Sequence, residues 1–185
     1  MNYKIPYTLN GTPVFLDIIE NNEDIEITIG ETQAKLLMSW NIKNEGIKGA
    51  LLHSFYVYSK ELKGIGKFML CTAVSIGIKN KRFKTDYIYL EADGDRGSDK
   101  EYTPEQIESF FAKYPVEITK MEEEYEQPFD QISDKSKSFK INLIIDNAKL
   151  IEYYTRYGFE QMKPGEGLAV LMRSSINSIH DYCLK

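Results

Sequence analysis

Two glycines one residue apart, Gly64 and Gly66, lie in Lys60-Glu61-Leu62-Lys63-Gly64-Ile65-Gly66-Lys67, between a β-rich run ending near Tyr58 and an apolar helical segment from about Lys67. That spacing suits a phosphate. Glycine lets the backbone turn without a Cβ clash, and a helix starting there leaves its first amides facing an anion. The helix dipole adds partial positive charge at the same end. A pyrophosphate-bearing cofactor is the ligand such a turn would take. A P-loop needs four residues between its glycines and then Lys-Ser/Thr, which Gly64-Ile65-Gly66-Lys67-Phe68 does not supply. A dinucleotide fingerprint needs a third small residue three positions beyond Gly66, where Met69 stands. The bland alternative is a glycine turn ahead of an ordinary amphipathic helix.

The elements that must position this turn are strands first. Val14 to Ile19 and Asp24 to Ile29 are β-branched and bounded by Asn-Gly and Asn-Asn turn signals. Ala34 to Trp40, Gly49 to Tyr58 and Asp86 to Glu91 read the same way. A helix over Gly66 to Asn80 follows the glycines, and Lys79-Asn80-Lys81-Arg82-Phe83-Lys84 reads as a solvated cationic end that complements its dipole. A second helix is expected from Asn147 to Tyr157. Asp146 or Asn147 would cap it, Leu150, Ile151, Tyr154 and Tyr157 share one face, and Gly158 stops it in the left-handed position.

In order along the chain, these segments resemble the GNAT superfamily of N-acetyltransferases. There a strand, a Gln/Arg-x-x-Gly-x-Gly/Ala loop and a helix hold the pyrophosphate of acetyl-CoA, and a later Asn-to-Tyr helix ends in Gly-Phe. The matching residues are Gly64, Gly66, Asn147, Tyr154 and the pair Gly158-Phe159, and the likeness covers roughly residues 48 to 172. The resemblance implies a single domain over 1–185 with an α/β (α+β) fold: a mixed twisted sheet, antiparallel in its first half, flanked by helices. Within it fall N-terminal strands (1–47), an acetyl-CoA-binding core (48–92), a long insertion (93–139), and a C-terminal helix and strands (140–185).

Acyl transfer from a thioester to an amine needs a proton acceptor, an oxyanion site and an acid for the leaving thiolate. The resemblance assigns cofactor contacts to Phe55, Tyr56 and Val57, whose amides are the oxyanion candidates, and to Lys63, Gly64, Ile65, Gly66, Lys67 and Asn147. Tyr154 aligns with the tyrosine that protonates coenzyme A thiolate. Glu91, at the end of the strand before the insertion, aligns with a catalytic Glu, and burial there would suit a base; His53 is the reserve base. Glu61 departs from the family's Gln/Arg, placing a carboxylate beside the pyrophosphate that Lys60, Lys63 and Lys67 could offset. The N-terminus also offers little room for the two helices that build the family's acceptor wall, so the insertion is expected to shape the acceptor site. Thr103-Pro104-Glu105-Gln106 opens a helix there as a capping box, and Glu122-Glu123-Glu124 with Glu126 reads as a solvated helix face. The minority reading of that acidic cluster is attraction of a cationic acceptor such as a polyamine, an aminoglycoside-like molecule or a basic peptide. A non-catalytic acyl-CoA sensor or protein-binding scaffold of the same fold is the alternative.

Composition agrees with a globular enzyme. With 185 residues, 42% hydrophobic, the chain can bury a sizeable core. A net charge of −5 speaks against general nucleic-acid binding. No apolar run approaches a membrane span, and the first residues lack a signal-peptide core, so a cytoplasmic location is expected. Two cysteines are too few for a disulfide scaffold, and Cys71 reads as a buried filler. Two histidines make a His-based metal site improbable. The partner implied is an amine-bearing small molecule or peptide, with no metal, nucleic acid or membrane, and with the oligomeric state open.

Overall fold

The computed structural model describes residues 1–9, 11–30, 33–44, 47–57, 62, 64–92, 100–162 and 170–184. Alternation of apolar and polar residues builds its first half. β1 (Asn2–Leu9), β2 (Thr12–Glu20), β3 (Asp24–Ile29), β4 (Ala34–Asn44) and β5 (Ile47–Val57) pair antiparallel in chain order. In β3, Ile25, Ile27 and Ile29 are buried while Asp24, Glu26 and Thr28 are half-buried, so the strand has one core face and one wetter face. Leu16 and Ile18 of β2 and Leu36, Met38 and Trp40 of β4 extend the core face. The wetter face carries Phe15, Asp17, Ile19, Lys35, Leu37 and Ser39.

The chain then changes direction. After α1 (Ile65–Lys79), β6 (Tyr87–Ala92) pairs parallel with β5, over Ala50↔Ile88, Leu51↔Tyr89 and Leu52↔Leu90. With β7 (Glu160–Gln161) and β8 (Val170–Ser175) the result is one eight-stranded mixed sheet in the order β1-β2-β3-β4-β5-β6-β8-β7. The expected mixed α+β class, antiparallel in its first half, is what the structure has.

Two compact units divide the residues: Met1–Glu91 with Tyr153–Pro164 and Leu171–Lys185, and Ala92–Glu152 with Gly165–Val170. In the second unit lie α2 (Pro104–Phe111), α3 (Pro115–Tyr125) and most of α4 (Asp134–Thr155). It has a core of its own, Ile107, Phe111, Met121, Ile132 and Ile141, against which Tyr102, Ile118 and Phe129 pack. The expected capping box is present: Thr103 Oγ1 accepts from the Gln106 N–H and Gln106 Oε1 from the Thr103 N–H. The acidic cluster of α3 is more than a solvated face, because Glu122 accepts from the Phe129 N–H at 3.0 Å and Glu124 meets Lys140 at 3.2 Å.

Four expectations need correction. β1 was not anticipated; its Tyr3, Ile5 and Tyr7 alternate with more exposed neighbours, but Pro6 disguised the run. α4 begins at Asp134, so Asp146 and Asn147 lie inside the helix and cap nothing. Its head is held by Ser133, whose hydroxyl accepts from the Ser136 N–H at 3.1 Å. Ile141, Ile144 and Ile145 lie within this helix, where packing overrides their β-branched preference for strand. A further helix, α5 (Ile176–Cys183), follows β8 under a Ser175 cap that accepts from the Ser178 N–H. Finally, Cys71 is no free filler: it forms a disulfide with Cys183, joining α1 to α5.

Candidate functional site

The two glycines of the turn serve different needs. Gly64 precedes α1 with φ 94°, a conformation that side chains with a Cβ rarely adopt, and among the described residues nothing lies within 4 Å of where its Cβ would be. Gly66 is a matter of space. A Cβ there would stand 2.7 Å from the Tyr153 hydroxyl and 3.2 Å from the Phe55 ring, so only glycine lets the first turn of α1 seat against β5 and the end of α4. Ile65 between them is fully buried and anchors the turn. The N-cap residue of α1, Gly64, has no side chain with which to cap this helix end. Lys67 is directed sideways, its ammonium 4.5 Å from the centre of the Tyr182 ring. Lys60, Glu61 and Lys63 lie outside the described residues.

β5 brings its last residues to the same place. Phe55, Tyr56 and Val57 lie opposite Leu36, Lys35 and Ala34 of β4. The buried Phe55 ring has its centroid 6.2 Å from those of Tyr153 and Tyr154 and 6.3 Å from that of Tyr157. Tyr157 donates to the Tyr153 hydroxyl at 2.8 Å. Burial pushes the Tyr157 phenol well above its ordinary pKa, and the hydrogen bond to Tyr153 adds to the shift, so it stays a neutral donor. Tyr153, whose hydroxyl lies over Gly66, reads from the sequence as core packing beside Tyr154 and Tyr157 and is not among the expected site residues. The available signal was its i,i+4 spacing from Tyr157.

Tyr154 is explained locally by how α4 ends. The Phe159 N–H reaches back to the Tyr154 carbonyl at 3.3 Å, the Gly158 N–H to the Thr155 carbonyl at 2.9 Å, and Gly158 has φ 84°. This is a Schellman cap, which is commonly accompanied by an apolar contact between the residues at its two ends. Here that contact is the Tyr154 ring edge-on to the buried Phe159, 6.1 Å between centroids. The Tyr-x-x-x-Gly-Phe spacing thus has a folding reason whether or not the hydroxyl does chemistry.

Glu91 follows the last β5–β6 pair and is exposed, so the burial invoked for it as a base is absent. Asn147 is buried in the second unit. His53 is exposed at a β-bulge in β5, between Leu52, opposite Met38, and Ser54, opposite Leu37. A groove of about 690 Å³ with no counterpart among the sequence-based expectations opens at the β1–β2 and β3–β4 turns, lined by Leu9, Val14, Phe15, Ile29, Gln33 and Leu62. Leu62 ties this groove to the residues just ahead of the glycine turn.

No family model, curated protein or solved structure matches this chain. Among the described residues, no helix is long and apolar enough to cross a membrane, and no three His, Cys, Asp or Glu side chains group to hold a metal ion.

Proposed function

We propose that this protein is an acetyl-CoA-dependent N-acetyltransferase of GNAT-like design, cytoplasmic, which transfers an acetyl group to a primary amine of a small molecule or peptide by direct attack on the thioester. The observation that carries the reading is the α1 N-terminus. It is opened by glycine, has at its N-cap position a residue with no side chain to cap it, and sits on the end of β5 beside Tyr153 and Phe55. Amides at such a helix end and the dipole behind them suit a pyrophosphate. β5 adds support, since it runs on to Val57 beside β4 although its register with β6 covers only Ala50 to Leu52. In this reading pantetheine lies along Phe55 to Val57, and Tyr154 protonates the departing thiolate.

Calorimetry with acetyl-CoA tests the cradle. Micromolar binding is expected, and Gly64→Val should weaken it at least tenfold, because valine strains a positive φ while its Cβ has nothing within 4 Å among the described residues. Binding that survives the substitution would sink the cradle. Tyr154→Phe keeps the ring contacts with Phe55 and Phe159 and removes only the hydroxyl. Turnover should fall on the order of 10²-fold, the usual worth of a positioned acid, with acetyl-CoA affinity unchanged. The Schellman cap favours a second reading, a non-catalytic acyl-CoA sensor or scaffold, since it accounts for Tyr154 without chemistry. Cofactor binding with no turnover on any amine would establish the sensor.

A further inference from the structure

On the wetter face of the sheet, three side chains from three adjacent strands form a hydrogen-bonded line. Ser39 Oγ of β4 lies 2.5 Å from Asp24 Oδ1 of β3 and 2.8 Å from His53 Nε2 of β5. The register explains why they meet. Asp24 lies directly opposite Ser39, Leu51 lies opposite Ser39 on the other side, and His53, two residues beyond Leu51, falls on the same face.

Proton counting fixes the arrangement. Ser39 has one proton, and the Asp24 carboxylate can only accept, so the hydroxyl donates to Asp24. Ser39 must then accept from His53, which puts the ring proton on Nε2 and leaves the Nδ1 lone pair available. In a Ser–His–Asp triad the carboxylate holds the histidine and the serine is the nucleophile. Here the carboxylate holds the serine, so Ser39 positions the ring and the reactive group is His53 Nδ1.

We propose that His53, oriented by Ser39 and Asp24, is the general base that deprotonates the acceptor amine. The inference rests on the acetyl-transfer reading. His53 is the first residue beyond the last β5–β6 pair, Leu52↔Leu90, and four residues before Val57, or about 13 Å along a strand. It therefore stands where β5 passes beyond its register with β6, up-chain of the stretch assigned to pantetheine. Phe55, which pairs with the buried Leu36, belongs to the core face with Tyr154, so base and acid approach from opposite faces of the sheet. Chemically, His53 Nδ1 takes one proton from the ammonium, and the freed amine attacks the thioester carbon. The C–N bond forms, the C–S bond breaks, and Tyr154 supplies the thiolate proton. The second nitrogen proton restores Tyr154 through solvent, and His53 releases its own to water. Other charges on this face are Glu26, paired with Lys35 at 2.9 Å, Asp17, paired with Lys4 at 2.8 Å, and the exposed Glu91 of β6, two residues past Tyr89, the partner of Leu51.

The test combines acetyl-CoA calorimetry with turnover on phenethylamine and spermidine across pH, and ¹⁵N NMR of the imidazole. His53→Gln should leave acetyl-CoA affinity intact, lower kcat about 10²-fold and remove the acid limb of the pH profile. Ser39→Ala should lower kcat about tenfold and lose the Nε2–H tautomer, and Ser39→Thr, which keeps the hydroxyl, should restore both. Undiminished turnover in His53→Gln, or an Nδ1–H tautomer in the native protein, would overturn the role of His53 and leave the acetyl-transfer reading standing. Absent acetyl-CoA binding, or binding without turnover, would overturn that reading and the role of His53 with it.

Discussion

Arg82→Met should lower the unfolding free energy by roughly 3–5 kcal/mol, because it strands a buried carboxylate. The side chain of Glu20, at the end of β2, is only 2% exposed and accepts from Arg82 Nε at 2.9 Å and from Asn80 Nδ2 at 2.9 and 3.0 Å. Arg82 also donates from Nη1 to Asn22, and its backbone is held by Gly77 and Asn41. Removing the guanidinium leaves the carboxylate with one amide partner inside the protein. Replacing both members, Glu20→Met with Arg82→Met, removes the stranded charge and should recover most of the loss. Urea unfolding of the two single variants and the double variant checks this. A loss below about 1 kcal/mol for Arg82→Met would mean that the pair behaves as a surface ion pair. The consequence reaches the site, since Glu20, Asn80 and Arg82 tie the C-terminal end of α1 to the sheet, and that helix carries the glycine turn at its other end.

This pair also marks what the sequence could and could not reveal. Lys79 to Lys84 read as cations around a helix end, and Lys79 and Asn80 do close α1, but the partner that makes Arg82 structural is 62 residues away. Local signals served well. The periodicity of β2 to β5, the capping box at Thr103 and the left-handed stop at Gly158 each depend on a few neighbouring residues. Gly64 was legible as a turn residue for the same reason. That Gly66 is required by the Tyr153 hydroxyl was not, because the clash arises only when α4 arrives. The start of α4 was missed where β-branched residues outweighed a polar Ser-Asp cap, and the Asp24-Ser39-His53 line depends on the pairing register of three strands, which no local pattern announces.

Cysteine arithmetic failed more instructively. Two cysteines 112 residues apart carried no spacing signal, yet Cys71 and Cys183 have Cα atoms 5.5 Å apart and are bonded. A cross-link closing a loop of this length removes about 4–5 kcal/mol of conformational freedom from the unfolded chain. The Cys71→Ala/Cys183→Ala variant should therefore lose about that much stability, and a thiol reductant should bring the native protein down to the same level. α5 should respond first, because the disulfide joins it to α1 beside Tyr182, whose ring meets both Lys67 and Tyr157. Hydrogen exchange should show protection lost over Ile176 to Cys183 before the sheet opens. The same bond bears on compartment. Disulfides persist where the surroundings are oxidising, and cytosolic thiols are kept reduced. Thiol titration of protein taken directly from a reducing cytoplasm decides between them. Two free thiols with unchanged stability would remove the disulfide from the native state and favour the proposed cytoplasmic location, whereas a bond that survives there, with the predicted loss on reduction, makes it a resident clamp on the helix that opens with the glycine turn.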